Sequence, residues 1–244
     1  MKRVLDLTVS FFGLLIAMPI VVIFCFLIWL QDFKNPFYIP LRVGRNGKAF
    51  KMIKLRSMVV NADLTGVDST SNDDNRITFV GRLIRKLKLD ELTQLINVFI
   101  GGMSLVGPRP NIKRETDLYT KVEQDLLSIK PGITDFSSII FADEGAILED
   151  KEDPDISYHQ LIRPWKSRLG LFYIEKETFF LDIQLIILTV LSIFSREKAL
   201  IGVSNLLEKN QAPNNLIEVA KRHNQLEPLA PPGSNLIVSS REII

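Results

Sequence analysis

An uncharged apolar run near the amino terminus restricts this chain to folds that meet a lipid bilayer. From Leu7 to Gln31 no residue is charged, and this run of roughly 25 residues exceeds the roughly 20 that a membrane-spanning helix needs. A signal peptide would have a shorter apolar stretch followed by a small-residue cleavage site, whereas this run continues through bulky residues to Gln31. The sequence therefore predicts a membrane segment that is retained.

Flanking charges and an internal proline predict how this run lies in the membrane. Basic residues precede it and follow it, so the positive-inside rule places both ends in the cytoplasm; these residues are Lys2, Arg3, Lys34, Arg42, Arg45 and Lys48. Pro19 lacks a backbone donor and should bend or break the helix. A re-entrant hairpin over residues 1–33 satisfies both observations, and a kinked spanning helix is the alternative that the residues leave open.

Composition excludes several other classes of protein. The formal net charge is +2, so the chain lacks the strong basic bias of a nucleic-acid-binding protein, and no nucleic-acid partner is expected. Cys25 is the only cysteine, and His159 and His223 are the only histidines. This inventory argues against a disulfide framework and against a zinc site.

Extended runs and turn signals after the membrane segment predict a small α/β body. Phe37–Val43 and Ala49–Ser57 flank an Asn-Gly pair at residues 46–47, which is a strong β-hairpin signal. The glycines of this turn do not have the spacing of a phosphate-binding P-loop, which disfavours a nucleotide hydrolase of that kind. The polar stretch from Asn61 to Arg76 shows no periodicity and predicts a surface loop.

Helical periodicity predicts a mostly helical monotopic membrane protein with a small hairpin or sheet. Apolar and basic residues alternate from Phe79 to Lys88, which predicts an amphipathic interfacial helix, and the stretch after Pro164 has a similar pattern. Another helix is expected to begin near Asp90. Phe179–Phe194 is apolar but too short to span, so it predicts packing in the core or at the membrane surface.

An adjacent carboxylate pair and a rigidly held arginine are the best candidates for catalysis. Asp90 and Glu91 would diverge by about 100° on a helix, so one could meet a substrate while the other orients it. Basic neighbours favour an ionised Asp90, which is a competent nucleophile. Arg109 lies between two prolines, and its guanidinium suits bidentate phosphate binding. The residues alone also fit Asp90 as a helix cap and Arg109 as a turn arginine.

Several blocks in order resemble the bacterial monotopic phosphoglycosyl transferases, which are polyprenyl-phosphate sugar-phosphate transferases. LDELTQLINVF at residues 89–99 and GGMSLVGPRP at residues 101–110 resemble the LDELPQL and GDMSLVGPRP blocks of that family. The resemblance extends to KRVLDLTVS, RVGRNGKAFKMIKLRSM, RITFVGRLIRK and SIKPGIT, and it covers most of residues 1–135. The family's WAQVNGR block is missing after SIKPGIT, and residues 135–155 depart from its pattern, so the resemblance does not imply which sugar is transferred.

The resemblance implies a two-step transfer at the cytoplasmic face of the bacterial inner membrane. Asp90 matches a nucleophile that attacks the sugar-bearing phosphorus of a nucleotide diphospho-sugar, here expected to be a UDP-sugar, and Glu91 matches its assisting partner. Polyprenyl (undecaprenyl) phosphate then takes the phosphosugar from Asp90, as the first membrane step of polysaccharide assembly. The resemblance also implies a Mg²⁺ ion held by Asp90. The residues expected to bind substrate phosphates are Arg109, Arg85, Lys54 and Arg56.

These inferences divide the chain into three parts. Residues 1–33 are expected to form the re-entrant helix, residues 34–200 the catalytic domain with its membrane-surface helices, and residues 201–244 a loosely ordered extension. Membrane lipids are further expected partners, and the resemblance leaves open whether the enzyme is a homodimer. The alternative from another class is a membrane-bound scaffold or regulator that retains the fold without catalysis, and it predicts that Asp90 is dispensable.

Overall fold

The chain is mostly helical, as the sequence predicts. A computed structural model describes residues 1–65, 69–71 and 73–241. The loop predicted from Asn61 to Arg76 therefore lies partly outside the described residues. The helices are α1 (Lys2–Asp32), α2 (Phe79–Lys86), α3 (Gln94–Ile100), α4 (Lys113–Asp117), α5 (Phe136–Ile140), α6 (Glu144–Ile147), α7 (Pro154–Leu161), α8 (Arg163–Lys176), α9 (Phe179–Phe194), α10 (Arg196–Lys209) and α11 (Asn214–Lys221).

Short strands form three two-stranded sheets within the described part of the chain. β1 pairs with β4 and β2 with β3, both antiparallel, while β5 pairs with β6 in parallel. The strands are β1 (Phe37–Tyr38), β2 (Leu41–Val43), β3 (Ala49–Lys51), β4 (Lys54–Leu55), β5 (Ser104–Val106) and β6 (Gly132–Thr134).

The predicted hairpin is confirmed, with its turn at the Asn-Gly pair. Val43 pairs with Ala49 across β2 and β3. Asn46 has φ 58° and Gly47 has φ 74°, and this left-handed pair is the backbone that a tight hairpin turn requires and that Asn-Gly adopts most easily. The turn therefore follows directly from local sequence.

Helix α1 runs without a break from Lys2 to Asp32 with Pro19 inside it, so the hairpin predicted for residues 1–33 is not seen. Its amino-terminal end is bound to the body of the protein. The Arg3 guanidinium donates to the carbonyl oxygens of Val98 and Phe99 at 2.6 and 2.7 Å, at the carboxyl end of α3. Asp6 is buried and accepts hydrogen bonds from Ser104 Oγ at 3.0 Å and from the backbone N–H that follows at 2.9 Å. These contacts fix the first two turns of α1 against α3 and β5.

The carboxyl-terminal half of α1 is bound to the same body. Arg56 Nη2 donates to Asp32 Oδ1 at 2.7 Å, and Ala17, Val21 and Ile28 pack in a cluster with Leu55 and Ile84. The opposite side of the helix carries exposed apolar side chains such as Leu15, Ile16 and Ile23. Among the described residues, α1 is the one helix long and apolar enough to cross a membrane.

Helix α8 lies in the centre of the core and not at the surface. Leu169 and Tyr173 are fully buried there, so the prediction of an interfacial helix after Pro164 is wrong. Its apolar positions face other helices, and its basic side chains fold back, since Arg168 donates to the carbonyl oxygen of Pro164 at 2.9 Å. The interfacial prediction for α2 fits better, because Phe79 and Leu83 are exposed there beside basic residues.

The carboxyl-terminal region is more ordered than the sequence predicts. Helices α10 (Arg196–Lys209) and α11 (Asn214–Lys221) occupy most of residues 201–221, and their buried residues Val203, Leu207 and Ala220 join the main core. Beyond them, the chain runs back over the body, where Thr120 Oγ1 donates to the Pro232 carbonyl oxygen at 2.6 Å. The prolines that suggested loose order therefore lie in an extended segment held by long-range hydrogen bonds.

The parallel pair β5 and β6 fixes the loop that carries Arg109. Gly107 donates its N–H to the Thr134 carbonyl oxygen at 2.9 Å, and Gly132 donates to that of Pro108 at 3.0 Å. The two glycines lie back to back, since a Cβ atom on Gly132 would come within 2.1 Å of the Gly107 nitrogen. Only glycine allows this approach, which leads the chain directly into Pro108 and Arg109.

Candidate active site

Asp90 and Glu91 lie in a separate 3₁₀ turn, not at the start of the next helix. The turn is Leu89–Glu91, and α3 begins only at Gln94. Lys88 has φ 52°, a left-handed conformation that ends α2 and reverses the chain before the turn. The prediction that a helix begins near Asp90 is therefore wrong by one turn, and no side-chain cap forms at Asp90.

A single side chain holds this turn against strand β4. Thr93 is buried, and its Oγ1 lies 3.0 Å from the Ile53 carbonyl oxygen and 3.1 Å from the Asp90 carbonyl oxygen, so its hydroxyl can donate to either of them. Because Lys54 follows Ile53 directly, this contact brings the Lys54 side chain near the carboxylate pair. The structure thus brings together two segments that are far apart in sequence.

The two carboxylates have different environments. Arg109 Nη1 donates to Glu91 Oε1 at 2.7 Å, a charge-assisted contact that fixes both side chains. None of the residues that the structure describes donates a hydrogen bond to the Asp90 carboxylate. Glu91 is therefore engaged by the protein, whereas Asp90 is available to a ligand.

Charges around the pair set its protonation. Burial raises the pKa of Asp90, and the charge of Glu91 raises it further, although Lys54, Arg109 and Arg85 oppose the shift. Burial acts in the same direction on Glu91, but there Arg109 and Lys54 prevail and lower its pKa. The sequence predicts an ionised Asp90 from its basic neighbours; the structure shows that burial counteracts them.

Lys54 and Arg109 supply positive charge at the pair. Burial, with Arg109 nearby, lowers the pKa of Lys54 to about 8, despite the opposing attraction of Asp90 and Glu91. Glu91 raises the pKa of Arg109, so the guanidinium stays charged. Cations of this kind are suited to neutralising phosphate oxygens in a partly desolvated site.

The other two predicted phosphate ligands occupy different positions. Arg85 lies at the end of α2, within electrostatic range of Asp90. Arg56 instead binds the end of α1, where it contacts Asp32 and donates to the Asn35 carbonyl oxygen at 2.8 Å. The structure therefore gives Arg56 a role in anchoring the membrane helix, because its guanidinium is buried by these partners.

The Asp90 carboxylate suits a hard divalent cation that is also bound by the phosphates of a substrate. Mg²⁺ is commonly bound by one or two carboxylates together with substrate phosphates and water. Among the described residues there is no cluster of three or more metal-binding side chains, and Lys54, Arg85 and Arg109 surround Asp90 with positive charge. The described residues thus offer one free carboxylate to a metal–diphosphate complex, without a cluster that would hold a metal on its own.

A polar cleft continues from Arg109 into a region that gave no recognisable motif. Its walls include Asn111, Tyr158 and Lys166, and Lys166 forms an ion pair with Glu144. Sequence reasoning missed these side chains because residues 135–155 depart from the family pattern and the helices that follow carry no periodic signal for a site. A long-range fold contact, not a local pattern, brings them to Arg109.

The site combines a free carboxylate with fixed cations, which suits the transfer of an anionic group, and it adjoins a body that carries a helix long and apolar enough to cross a membrane. The model of the bacterial sugar transferase family matches residues 1–196. The chain belongs to that family, which confirms the resemblance found in the sequence blocks, and it is a sugar transferase.

Individual relatives agree with this assignment. The chain is 35% identical over 198 residues to the uncharacterized sugar transferase EpsL of Bacillus subtilis (strain 168), a match that covers 81% of this chain and 89% of the relative. It is 41% identical over 133 residues to a putative undecaprenyl-phosphate N-acetylgalactosaminyl 1-phosphate transferase of the same organism, covering 54% and 70%. It is 40% identical over 149 residues to an undecaprenyl-phosphate galactose phosphotransferase of Salmonella typhimurium, covering 55% and 31%.

Proposed function

We propose that this enzyme transfers a phosphosugar from a UDP-sugar to polyprenyl phosphate through a covalent intermediate on Asp90. The observation that carries the proposal is the unequal carboxylate pair. Glu91 is held by Arg109, while the adjacent Asp90 carboxylate accepts no hydrogen bond from the described residues and lies among cations. A free carboxylate beside fixed positive charge is the arrangement that nucleophilic attack on a phosphate diester-like centre requires. The names of the relatives support the polyprenyl acceptor.

The two steps balance without an external base. In the first, an Asp90 carboxylate oxygen forms a bond to the sugar-bearing phosphorus, and the bond from that phosphorus to the bridging oxygen breaks, releasing UMP. In the second, an oxygen of polyprenyl phosphate bonds to the same phosphorus, and the Asp90 oxygen leaves as a carboxylate. Arg109 and Lys54 bind the phosphate oxygens throughout, and Glu91 orients Arg109.

Asp90 would contribute the protein's ligand to Mg²⁺, with the diphosphate supplying others. Bound there, the metal would neutralise charge on the transferring phosphoryl group. This assignment is supported by the free carboxylate of Asp90 and by the oxygen ligands that Mg²⁺ prefers.

We infer that α1 enters the bilayer without crossing it, with the enzyme at the cytoplasmic face of the inner membrane. Arg3 binds α3 near one end of α1, and Arg56 binds Asp32 at the other. The same body thus contacts both ends, and a perpendicular crossing would draw that body into the hydrocarbon, where its polar backbone would lose water. The exposed apolar side of α1 and the exposed Phe79 and Phe180 on other helices support a shallow position in one leaflet.

Cysteine labelling tests this topology. The lone Cys25 is replaced by serine, and single cysteines are placed at Val4 and Lys34, which are both exposed. With sealed vesicles, we expect a membrane-impermeant maleimide to label both positions from the cytoplasmic side alone. Labelling of the two positions from opposite sides would show a spanning helix and contradict the proposed position of α1 in one leaflet.

The pH dependence of transfer should report the raised pKa of Asp90. The nucleophile must be deprotonated, so the rate is expected to fall with decreasing pH through a pKa above that of an ordinary aspartate. Glu91→Gln removes a charge that raises this pKa and frees the positive charge of Arg109, and both changes lower it. The acidic limb of kcat/KM should therefore shift to lower pH in this variant, and an unchanged or upward shift would contradict the charge arrangement.

A direct assay tests the function itself. Purified full-length protein is incubated with a panel of UDP-sugars, Mg²⁺ and undecaprenyl phosphate, and both UMP and lipid-linked sugar are measured. We expect equal amounts of UMP and lipid-linked sugar. Repeated turnover should occur only when the lipid acceptor is present. UMP release with free sugar phosphate and no lipid product would instead identify a hydrolase, and the absence of turnover would favour the scaffold alternative.

A further inference from the structure

The cleft beyond Arg109 is open to solvent, and its lining is both polar and apolar. Its enclosed space is small, about 30 Å³, so a sugar bound there would lie mainly at the open mouth of the cleft. Its polar walls include Asn111, Asp135, Tyr158 and Lys166. Because Arg109 lines this cleft, a donor whose phosphates bind Arg109 would reach into it.

The Lys166–Glu144 pair offers a hydrogen-bonding arrangement suited to a sugar. Both side chains are partly exposed, at 17% and 32%, so a ligand can reach them. The ammonium donates and the carboxylate accepts, and a sugar hydroxyl does both, so one hydroxyl can bridge the two groups. The charge of Glu144 also contributes to raising the pKa of Arg109. The Lys166–Glu144 pair therefore lies within electrostatic range of Arg109, which is expected to bind phosphate.

The aromatic side chains of the cleft do not form a platform for a nucleobase. Lys166 Nζ lies 5.2 Å from the centre of the Tyr158 ring, and the Arg163 guanidinium lies 5.8 Å from that of Tyr119. A cation therefore covers a face of each ring, on which a base would otherwise stack. Asn111 Nδ2 is likewise engaged, since it donates to the Tyr119 hydroxyl at 2.9 Å. These contacts favour the sugar over the nucleoside as the occupant.

We propose that this cleft binds the sugar of the donor and that Lys166 and Glu144 determine which neutral, hydroxyl-bearing sugar is accepted. The proposal rests on the proposed function and adds the specificity site to it. Glu144 lies in residues 135–155, the segment that departs from the motif blocks of the family.

The test compares donors, not overall activity. Values of kcat/KM are measured for UDP-galactose, UDP-glucose, UDP-N-acetylglucosamine and UDP-N-acetylgalactosamine with wild-type enzyme, Lys166→Met and Glu144→Gln, together with inhibition by UMP. Lys176→Met is the matched control, because Lys176 lies on the same helix and pairs with Glu175 outside the cleft. Circular dichroism establishes that each variant is folded before its kinetics are compared.

We expect the ratio of kcat/KM between the best donor and the other donors to change by about 10-fold or more in both cleft variants. UMP inhibition should be unchanged, and the control should retain the wild-type ranking. An unchanged ranking in folded Lys166→Met and Glu144→Gln would overturn the sugar assignment. So would an equal loss for all donors with weaker UMP inhibition, which would place the nucleoside in the cleft. If the wild-type enzyme transfers none of these sugars, the proposed function itself fails.

Discussion

Replacing Asp90 with asparagine is expected to reduce lipid-linked product and UMP release by roughly 10³-fold or more, because the amide cannot form the phosphosugar bond. The fold should be preserved, since the Asp90 side chain makes no hydrogen bond to the described residues and the substitution keeps its size. The measurement is the initial rate of transfer, with circular dichroism and thermal unfolding as checks on structure.

Two other variants serve as comparisons for Asp90→Asn. Glu91→Gln should lose less, roughly 10- to 100-fold, because it misplaces Arg109 without removing the nucleophile. Asp117→Asn makes the same chemical change at an exposed carboxylate of α4 and should leave the rate unchanged. If Asp90→Asn transfers the sugar at a rate near that of Asp117→Asn, then Asp90 is not the nucleophile.

The largest effect on stability is expected from Gly132→Ala. A Cβ atom there would lie 2.1 Å from the Gly107 nitrogen and 2.5 Å from its carbonyl oxygen. Backbone atoms cannot give way as a flexible side chain does, so β5 and β6 must separate, and we expect a loss of about 3 kcal/mol or more in the free energy of unfolding. Transfer should fall with it, because this strand pair positions Arg109. Thermal and urea unfolding in detergent measure the loss.

Gly102→Ala is the appropriate comparison for this substitution. A Cβ atom on Gly102 would meet its nearest neighbours at 3.6 and 3.7 Å, which is ordinary contact. Its melting temperature and activity are expected to match those of the wild type closely. If Gly132→Ala were as stable as Gly102→Ala, the close approach of the β5 and β6 backbones would be incorrect.

Features governed by neighbouring residues were predictable from the sequence. The Asn46-Gly47 turn has the left-handed backbone that its residues favour. Helix α2 begins where Thr78 accepts a hydrogen bond from the Gly81 N–H at 3.0 Å, and its alternation of apolar and basic residues is local as well. The ordered motif blocks identified the family without any knowledge of the fold.

Features that depend on distant contacts were not predictable in the same way. Arg56 meets Asp32 across 24 residues, so its motif block suggested a substrate contact where the structure shows an anchor. The left-handed Lys88 ends α2, and Asp90 then lies in the turn Leu89–Glu91, before α3 begins at Gln94. In the cleft, Lys166 of α8 pairs with Glu144 of α6 across 22 residues of sequence, a contact that no local pattern encodes.

The covalent intermediate is the central claim, and its capture is the most direct test. Full-length enzyme is mixed with a UDP-sugar and Mg²⁺ in the absence of polyprenyl phosphate, quenched in acid, and analysed by intact-protein and peptide mass spectrometry. We expect one added phosphosugar per protein, located on Asp90 within the peptide that contains it. This adduct should disappear when polyprenyl phosphate is added before the quench. Formation of lipid-linked sugar with no such adduct, or an adduct on another residue, would contradict the claim.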